Sequence, residues 1–307
     1  MNQQPKVNVI LATYNGAKHI RQQLDSILNQ TYENYTVCIR DDGSSDETLD
    51  IIKEYQRNHS NIRLIKSDTN LGVPNSFYEI LRVCDDAEYY AFADQDDYWL
   101  PEKLARAIEK LEEQKEANKP LLYCCSYDYY TDDGMYIRNF KLTDSFNLHK
   151  SIYYTAASGF VIVFNEQLRK KALKGTEYLK REEFGELHDR RFIRVAYLFG
   201  QLIFDDYVGA RHIRHSDAVT AADSTNINLL KNWYKNEVHG QDMVEQREGV
   251  RVFVDEYRND LSDEQKKVFD IFCSDGNRIR KIFYPHRLRE RISGELLLRI
   301  LFLIKKI

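Results

Sequence analysis

Short apolar runs alternate with longer amphipathic segments from Val7 to Ser126. The apolar runs are rich in Val, Ile and Tyr, as β-strands are, and the segments between them carry apolar residues at helical spacing. The predicted strands are Val7–Leu11, Tyr35–Arg40, Ile62–Lys66, Tyr89–Ala93 and Leu121–Ser126, and the predicted helices are Ile20–Leu28, Thr48–Tyr55, Ser76–Val83 and Leu104–Leu111. Strands that alternate with helices predict an α/β fold with a mostly parallel central sheet and right-handed crossovers.

The pattern becomes less regular beyond Asp128. The predicted elements there are a tyrosine-rich turn region (Tyr127–Tyr136), a strand (Ser158–Phe164), a helix (Arg190–Phe199) and a last strand (Gln201–Asp205). From about Asn226 the chain is highly charged and is predicted to be mostly helical. These features indicate one catalytic-type α/β unit followed by a helical C-terminal region.

Charge is divided unevenly along the chain, although its 307 residues carry a formal net charge of only −4. From Asn277 onward nine Lys or Arg residues stand against Glu290 and Glu295, so this tail carries +7 and the rest of the chain −11. A basic tail predicts contact with an anionic partner. The acidic body argues against nucleic acid as that partner.

Cysteine usage and the N-terminal residues favour a cytoplasmic location. The chain has five cysteines and no CxxC pair, which is typical neither of a disulfide framework nor of a zinc site. Polar residues lead directly into the first predicted strand, so no signal peptide is predicted. No apolar run approaches the roughly 20 residues of a membrane-spanning helix.

Acidic side chains follow two of the predicted strands. Asp94, Asp96 and Asp97 come within four residues of one another after a strand, and their mutual repulsion calls for a cation. Carboxylate oxygens suit Mg²⁺ or Mn²⁺, which commonly bridge to substrate phosphates. A solvated loop is the alternative interpretation. Asp41–Asp46 follows the second strand, and on its own it fits a strand-to-helix turn better than a binding site.

Other phosphate and metal motifs do not fit the sequence. An EF-hand loop that began at Asp94 would need Gly at position 99 and Glu at position 105, where this chain has Trp99 and Ala105. Neither GxGxxG nor GxxxxGK[ST] follows the first strand. Any bound phosphate is therefore expected to be held by a metal ion instead of a glycine-rich loop.

Taken together, these motifs resemble glycosyltransferase family 2. The resemblance covers residues 7–220 and rests on four segments and the residues after the last of them: Ala12-Thr13-Tyr14-Asn15, Asp41-Asp42-Gly43-Ser44-Ser45-Asp46, Asn70-Leu71-Gly72 and Asp94-Gln95-Asp96-Asp97, followed by Trp99-Leu100-Pro101-Glu102-Lys103-Leu104. It implies a GT-A catalytic domain over residues 1–220, followed by a helical region over 221–285 and a basic tail over 286–307. It also implies inverting transfer of a sugar from a nucleotide-sugar donor.

The resemblance implies a role for individual residues at the donor site. Thr13, Tyr14 and Asn15 would border the nucleotide, and Asp42 would hydrogen-bond its base. Asp94 would contact the donor as well as the metal, and Asp96 would be the better direct metal ligand. The alternatives from the residues alone are packing over the sheet edge for Tyr14 and a turn or cap for Asn15.

Inverting transfer also needs a base to take the proton of the acceptor hydroxyl. The candidates are Glu182, Glu183, Glu186 and Asp189, because the Asp94–Asp97 cluster occupies the leaving-group side. Rhamnosyltransferase-like members of the family carry a His-Asp pair before a helix, with the Asp as base, and the pair here is His188-Asp189. The family has aromatic residues next, where this chain has Arg190 and Arg191.

A further family segment follows the last predicted strand, at residues 212–219. In the family a histidine of this segment serves the metal or the diphosphate, and His215 is the matching position. The family's arginine falls at Ile213, and the resemblance leaves Arg211 and Arg214 as its possible substitutes. Gly159 corresponds to the place where the acceptor approaches the backbone, and a strand bulge is the alternative.

The C-terminal segment 292–306 is strongly apolar, carries Arg299 within it and is flanked by basic residues. That composition predicts a helix that lies in the interface of an anionic membrane without crossing it. A buried helix and a homodimer contact are the alternatives. With a cytoplasmic chain, the expected location is the inner face of the plasma membrane.

The function expected from sequence is an inverting, Mg²⁺- or Mn²⁺-dependent glycosyltransferase of cell-surface polysaccharide synthesis. The His188-Asp189 and Asp94–Asp97 segments most resemble rhamnosyltransferases that use dTDP-rhamnose, with a glycan or lipid-linked glycan as acceptor. The alternatives are a UDP-hexose or UDP-N-acetylhexosamine transferase on the same fold, and a non-catalytic subunit that binds a nucleotide sugar.

Overall fold

A computed structural model describes residues 4–67, 69–174, 187–214, 242–274 and 276–304. Its strands are β1 (Val7–Thr13), β2 (Tyr35–Asp41), β3 (Ile62–Ile65), β4 (Tyr89–Ala93), β5 (Tyr98–Trp99), β6 (Leu121–Thr131), β7 (Tyr136–Phe140), β8 (Ile162–Asn165) and β9 (Gln201–Arg214). Its helices are α1 (Ile20–Leu28), α2 (Thr48–Asn58), α3 (Asn75–Val83), α4 (Lys103–Glu113), α5 (Glu166–Leu173), α6 (His188–Phe199), α7 (Asp242–Tyr257), α8 (Asp263–Cys273), α9 (Arg278–Ile282) and α10 (Ile292–Leu303). The strand–helix alternation predicted from sequence is confirmed as far as β4.

These strands form a single mixed sheet in the described part of the chain, in the order β3-β2-β1-β4-β8-β6-β9-β5, with β7 paired to β6. The first four strands are parallel to one another. β8 is antiparallel to both of its neighbours, and the parallel pairing then resumes between β6 and β9. β1 and β4 are almost wholly buried, as strands covered by helices on both faces are.

The sequence interpretation of Tyr127–Tyr136 as a turn region is wrong over its first half. β6 continues to Thr131, because it pairs with β9 on one side and with β7 on the other. The tyrosines contribute cross-strand contacts: the rings of Tyr127 and Phe140 stack with centroids 4.9 Å apart. Within Tyr127–Tyr136, a turn is present only between β6 and β7.

The last strand is also longer than predicted, because it continues past Asp205 to Arg214. Two residues bulge out after Asp205, and pairing with β6 resumes at Val208. The Asp205 carboxylate stabilises this bulge by accepting hydrogen bonds from the Tyr207 backbone N–H (3.1 Å) and from Arg106 (2.5 Å). Ser158–Phe164 differs from the prediction as well, since a 3₁₀ turn occupies Gly159–Val161 and the strand begins at Ile162.

A buried arginine joins α6 to the helical region that follows the sheet. Arg191 is fully buried and donates hydrogen bonds to the Ala172 carbonyl (2.6 Å) and the Lys174 carbonyl (2.7 Å). It also forms an ion pair with Glu256 of α7 at 2.6 Å. Arg191 occupies one of the two positions after the His-Asp pair at which the family has aromatic residues, and here its guanidinium joins α6 to α7.

We expect Arg191→Gln to lower the free energy of unfolding by about 3–5 kcal/mol, because it leaves Glu256 buried without its cation. The matched control is Arg21→Gln, which removes the solvent-exposed Arg21–Glu54 pair and should change the free energy of unfolding little. Urea unfolding at neutral pH measures both values. Equal losses for the two variants would show that the Arg191 pair does not secure α6.

Candidate active site

A cavity of about 660 Å³ opens at the edge of the sheet where β1, β2 and β4 end. Its lining includes Thr13, Tyr14, Asp42, Asp94 and Asp96, five of the side chains to which the sequence points. The carboxyl ends of parallel strands meet at one edge, which explains why residues so far apart in sequence share this cavity. Its volume is within the range of small-molecule sites.

Asn15 joins the loop after β1 to the loop after β2. Its backbone lies in the left-handed region (φ 48°), a conformation that Asn tolerates better than most residues. The Asn15 N–H donates to Ser44 Oγ at 2.9 Å, and Asn15 Oδ1 accepts from the Ser45 N–H at 2.8 Å. These contacts give Asn15 a structural role beside the cavity and leave its predicted role toward the nucleotide as a prediction.

Gln95 joins the loop after β1 to the acidic loop after β4. Its side-chain amide makes two hydrogen bonds to the Tyr14 backbone, with Oε1 accepting from the N–H at 2.9 Å and Nε2 donating to the carbonyl at 3.1 Å. A β-carbon at Gly16 would clash with the Gln95 amide, so glycine is needed there. Tyr14, whose backbone is held in this way, leaves about half of its side chain exposed at the cavity.

Thr13 and Asp42 fix the inner wall of the cavity. Thr13 is buried and donates through Oγ1 to Asp41 Oδ1 at 3.0 Å. The Asp42 carboxylate accepts from the backbone N–H groups of Leu71 (2.7 Å) and Gly72 (2.6 Å), and it is paired with Arg40. Burial favours the neutral acid, but these N–H donors and the Arg40 guanidinium together hold the pKa of Asp42 below its usual value.

Asp42 can still recognise a ligand in this arrangement. A carboxylate offers about four lone-pair sites, and the contacts with Arg40, Leu71 and Gly72 use three of them. The Ser76 hydroxyl also acts on this carboxylate as a hydrogen-bond partner, and both Asp42 and Ser76 belong to the wall of the cavity. The geometry is compatible with a hydrogen bond from a nucleotide base, the role that the family resemblance implies.

The loop after β4 concentrates negative charge. Burial raises the pKa of Asp94 well above its usual value, and the charges of Asp97, Asp96 and Asp189 act in the same direction. Within the described residues, no group of three or more His, Cys, Asp or Glu side chains forms a set of metal ligands. Mg²⁺ is commonly held by one or two carboxylates together with substrate phosphates. Asp94 and Asp96 fit a divalent cation in that shared form.

Asp97 belongs to a second layer beneath these carboxylates. Its Oδ1 lies 2.7 Å from Nδ1 of His212 on β9. Burial raises the pKa of Asp97 against this contact, and the hydrogen bond to Asp97 raises the pKa of His212 against burial. His212 stacks on Phe160 with centroids 5.4 Å apart. Sequence reasoning gave the histidine role to His215, which lies outside the described residues.

Lys103 is a second residue that the sequence analysis did not single out. It is fully buried, and its Nζ lies 3.3 Å from the centroid of the Trp99 ring. Burial lowers the pKa of Lys103 to about 7, while Cys125 and Asp97 act in the opposite direction. The spacing of Trp99 and Lys103 directly after the acidic loop was the available signal, and it was used only as part of the family resemblance.

Asp189 lies in the first turn of α6. Leu187 occupies the cap position, so Asp189 is not the N-cap. Burial raises the pKa of Asp189, partly offset by Arg190 and by the backbone N–H groups of Arg190 and Gly159. The influence of Asp189 on the ionisation of Asp94 places the two carboxylates in one electrostatic environment.

His188 fixes the start of α6 on the aromatic core. Its ring stacks on Phe77, a residue of the cavity wall, with centroids 3.9 Å apart and an interplanar angle of 15°. Burial lowers the pKa of His188 to about 3, so the ring is neutral. A β-carbon at Gly159 would lie 2.9 Å from His188 Nε2, which explains the glycine there. The other candidate bases, Glu182, Glu183 and Glu186, lie outside the described residues.

Comparison with protein families and curated proteins identifies similar sequences. The family model described as glycosyl transferase family 2 matches residues 8–175. The dTDP-rhamnosyl transferase RfbG of Shigella flexneri is 37% identical over 105 residues, which are 33% of this chain and 36% of that protein. The chain spans less than half the length of several curated relatives that it matches.

Two solved structures share the architecture. TarS 1-349 of S. aureus in complex with UDP has a TM-score of 0.58 at 18% identity, over 98% of this chain and 82% of that chain. The mannosyltransferase PcManGT of Pyrobaculum calidifontis, in complex with GDP-Man and Mn²⁺, has a TM-score of 0.53 at 16% identity, over 98% and 86%. At such low identity the likeness concerns the fold alone. The predicted α/β fold of the GT-A type is confirmed.

Proposed function

The chain belongs to glycosyl transferase family 2, and from this premise we propose that it is an inverting, metal-dependent glycosyltransferase of cell-surface polysaccharide synthesis. The proposed donor is dTDP-rhamnose and the proposed acceptor is a glycan or a lipid-linked glycan. One observation carries the proposal: the cavity is lined by Asp94 and Asp96 together with Thr13, Tyr14 and Asp42, and Asp189 of α6 acts on Asp94.

In the proposed transfer step, Asp189 and the acidic loop after β4 have separate roles. The acceptor hydroxyl oxygen forms a bond to the anomeric carbon of the sugar while the bond from that carbon to the diphosphate oxygen breaks. The hydroxyl proton passes to the Asp189 carboxylate, and the nucleoside diphosphate leaves with the bonding electron pair. Burial of Asp189 makes it a stronger base than an exposed aspartate once it is deprotonated.

Asp94 and Asp96 would hold Mg²⁺ or Mn²⁺ together with the diphosphate oxygens of the donor. The bound cation would supply charge neutralisation for the leaving diphosphate. The proposal is supported by the raised pKa of Asp94, which reflects burial and the neighbouring charges of Asp97, Asp96 and Asp189. His215 is proposed as a further metal ligand on the family resemblance.

At the nucleotide end, the Asp42 carboxylate in the cavity wall suits the N3–H group shared by thymine and uracil. The dTDP-rhamnose donor is supported by the His188-Asp189 pair and by the similarity to dTDP-rhamnosyl transferase RfbG. A UDP-hexose or UDP-N-acetylhexosamine donor is the second candidate. The observation in its favour is that the solved structures of S. aureus TarS contain UDP and UDP-GlcNAc.

We expect dTDP and UDP to bind in the presence of Mn²⁺ and to bind at least about tenfold more weakly when the metal is chelated. Isothermal titration calorimetry measures these affinities. Equal binding with and without the metal would contradict the role assigned to Asp94 and Asp96.

The donor sugar is tested by incubating the protein with dTDP-rhamnose, UDP-glucose, UDP-GlcNAc or GDP-mannose and a panel of lipid-linked glycans. Mass spectrometry of the acceptor should show a mass increase with dTDP-rhamnose only. Transfer from a UDP-sugar would replace the proposed donor with the second candidate. Tight donor binding without transfer to any acceptor would favour a non-catalytic subunit.

A further inference from the structure

Exposed apolar side chains are concentrated on the last two described helices. Of the fourteen large hydrophobic residues exposed in the described part of the chain, seven lie between residues 279 and 304. They are Ile279 and Phe283 at α9 and Ile292, Leu296, Ile300, Leu303 and Ile304 at α10. The α10 members recur every three or four residues, so they form one stripe along that helix.

The two helices form an antiparallel hairpin. Arg278 donates to the Phe302 carbonyl at 3.2 Å, whereas Arg299 donates to the Lys281 carbonyl at 2.6 Å. The opposite face of α10 is already packed on the rest of the protein, since Leu297, Leu298, Leu301 and Phe302 are buried. The exposed stripe is therefore a second apolar face of a helix whose first apolar face is covered.

The charge of Arg299 is used inside the hairpin. It pairs with Glu295 at 2.5 Å, and Glu295 also accepts from the backbone N–H groups of Leu288 and Arg289. The sequence interpretation, in which basic residues of the tail face anionic lipid, therefore does not extend to Arg299. Arginines outside α10 carry the exposed positive charge instead.

The hairpin exposes charge of a single sign. Arg278, Arg280, Arg287 and Arg291 are exposed. Of the two acids in the segment, Glu295 is paired with Arg299, and Glu290 is paired with Lys150 at 2.5 Å. The surface thus combines an apolar stripe with unneutralised positive charge. That combination is complementary to the headgroups and the acyl boundary of an anionic bilayer.

We propose that the α9–α10 hairpin is a docking site for an anionic lipid surface. Phe283, Leu296 and Ile300 enter the boundary between headgroups and acyl chains, and the exposed arginines lie among the headgroups. A symmetric contact between two copies of the hairpin would bring these arginines together, and like charges disfavour it. The proposal does not depend on the proposed transferase activity, because docking is measured without donor or acceptor.

A membrane-spanning role is a separate matter. None of the helices in the described ranges is both long enough and apolar enough to cross a bilayer.

The test is co-sedimentation of the full chain with vesicles of phosphatidylcholine, alone or with about one third phosphatidylglycerol. Wild-type protein should bind the anionic vesicles, and added salt should weaken the binding. The triple variant Phe283→Ser/Leu296→Ser/Ile300→Ser should bind at least about tenfold more weakly, because its apolar contact area is reduced. The control Met135→Ser/Ile137→Ser removes exposed apolar residues of the β6–β7 hairpin and should bind like the wild type.

A second variant tests the charge separately from the apolar stripe. Arg280→Gln/Arg287→Gln/Arg291→Gln should lose the salt-sensitive part of the binding, with its thermal unfolding temperature unchanged because these side chains are exposed. Undiminished vesicle binding by both triple variants would overturn the proposal. A second result would also overturn it: the wild-type protein does not bind vesicles but forms a dimer, and the apolar triple variant is monomeric. A second copy of the chain would then be the occupant of the stripe.

Discussion

Replacement of Asp189 by asparagine is expected to lower the rate of glycosyl transfer by about 10²–10⁴-fold, the usual contribution of a positioned general base. Asparagine keeps the size of the side chain, but its amide cannot take the proton of the acceptor hydroxyl. Donor affinity should change little, because Asp189 is not among the residues that line the cavity around Thr13 and Asp42. Transfer rates and calorimetric donor affinities measured on the same preparation separate the two effects.

The matched control is Asp206→Asn, which changes an exposed aspartate that is paired with exposed Lys141. Its transfer rate should equal that of the wild type. Turnover of Asp189→Asn at the wild-type rate would assign the base to another residue.

The Asp189→Asn variant should also change how the transfer rate depends on pH. The base acts in its deprotonated form, so the transfer rate rises with pH through the pKa of Asp189. Because burial raises that pKa, the acid side of the wild-type profile should lie at a higher pH than that of an exposed aspartate. The remaining activity of Asp189→Asn should lack this acid limb.

Asp96→Asn is expected to weaken donor binding in the presence of Mn²⁺ by at least about tenfold and to remove most of its dependence on the metal. The reason is that a neutral amide oxygen is a poorer ligand for a hard cation than a carboxylate oxygen is. Calorimetry with UDP and dTDP, at fixed and at zero Mn²⁺, measures the change.

Uridine and thymidine provide the control for this variant because they have the base and the sugar but no diphosphate. Their affinities for Asp96→Asn and for the wild type should agree. Metal-dependent UDP binding that is as strong in Asp96→Asn as in the wild type would show that Asp96 is not a ligand. Weakened uridine binding would point instead to a disturbed cavity.

The part of the site built from contiguous elements was predictable from sequence. Asp94 and Asp96 follow a short apolar strand, and Thr13 and Asp42 follow two others, so a parallel sheet brings them together whatever the details of packing. Asp189 was chosen among four carboxylates through the family resemblance, and it lies in the first turn of α6.

What sequence did not reveal depends on contacts between distant segments. The hydrophobic pattern of the last strand ends at Asp205, because two bulged residues interrupt the alternation there. The pairing of β9 with β6 resumes beyond them. His212 reaches Asp97 only through that continuation. Arg191 and Arg299 have polar side chains in the sequence, yet each is held by backbone carbonyls and a carboxylate that only the folded chain supplies.

The attachment of Asp42 to main-chain groups has a consequence for how such a site diversifies. The N–H groups of Leu71 and Gly72 hold the carboxylate, and every residue except proline provides an N–H group. The side chain at position 71 can therefore change over generations without moving Asp42. Mutation at this position can alter the loop beside the cavity while the Asp42 carboxylate stays in place. The site can therefore adapt to a new donor and keep its contact with the base.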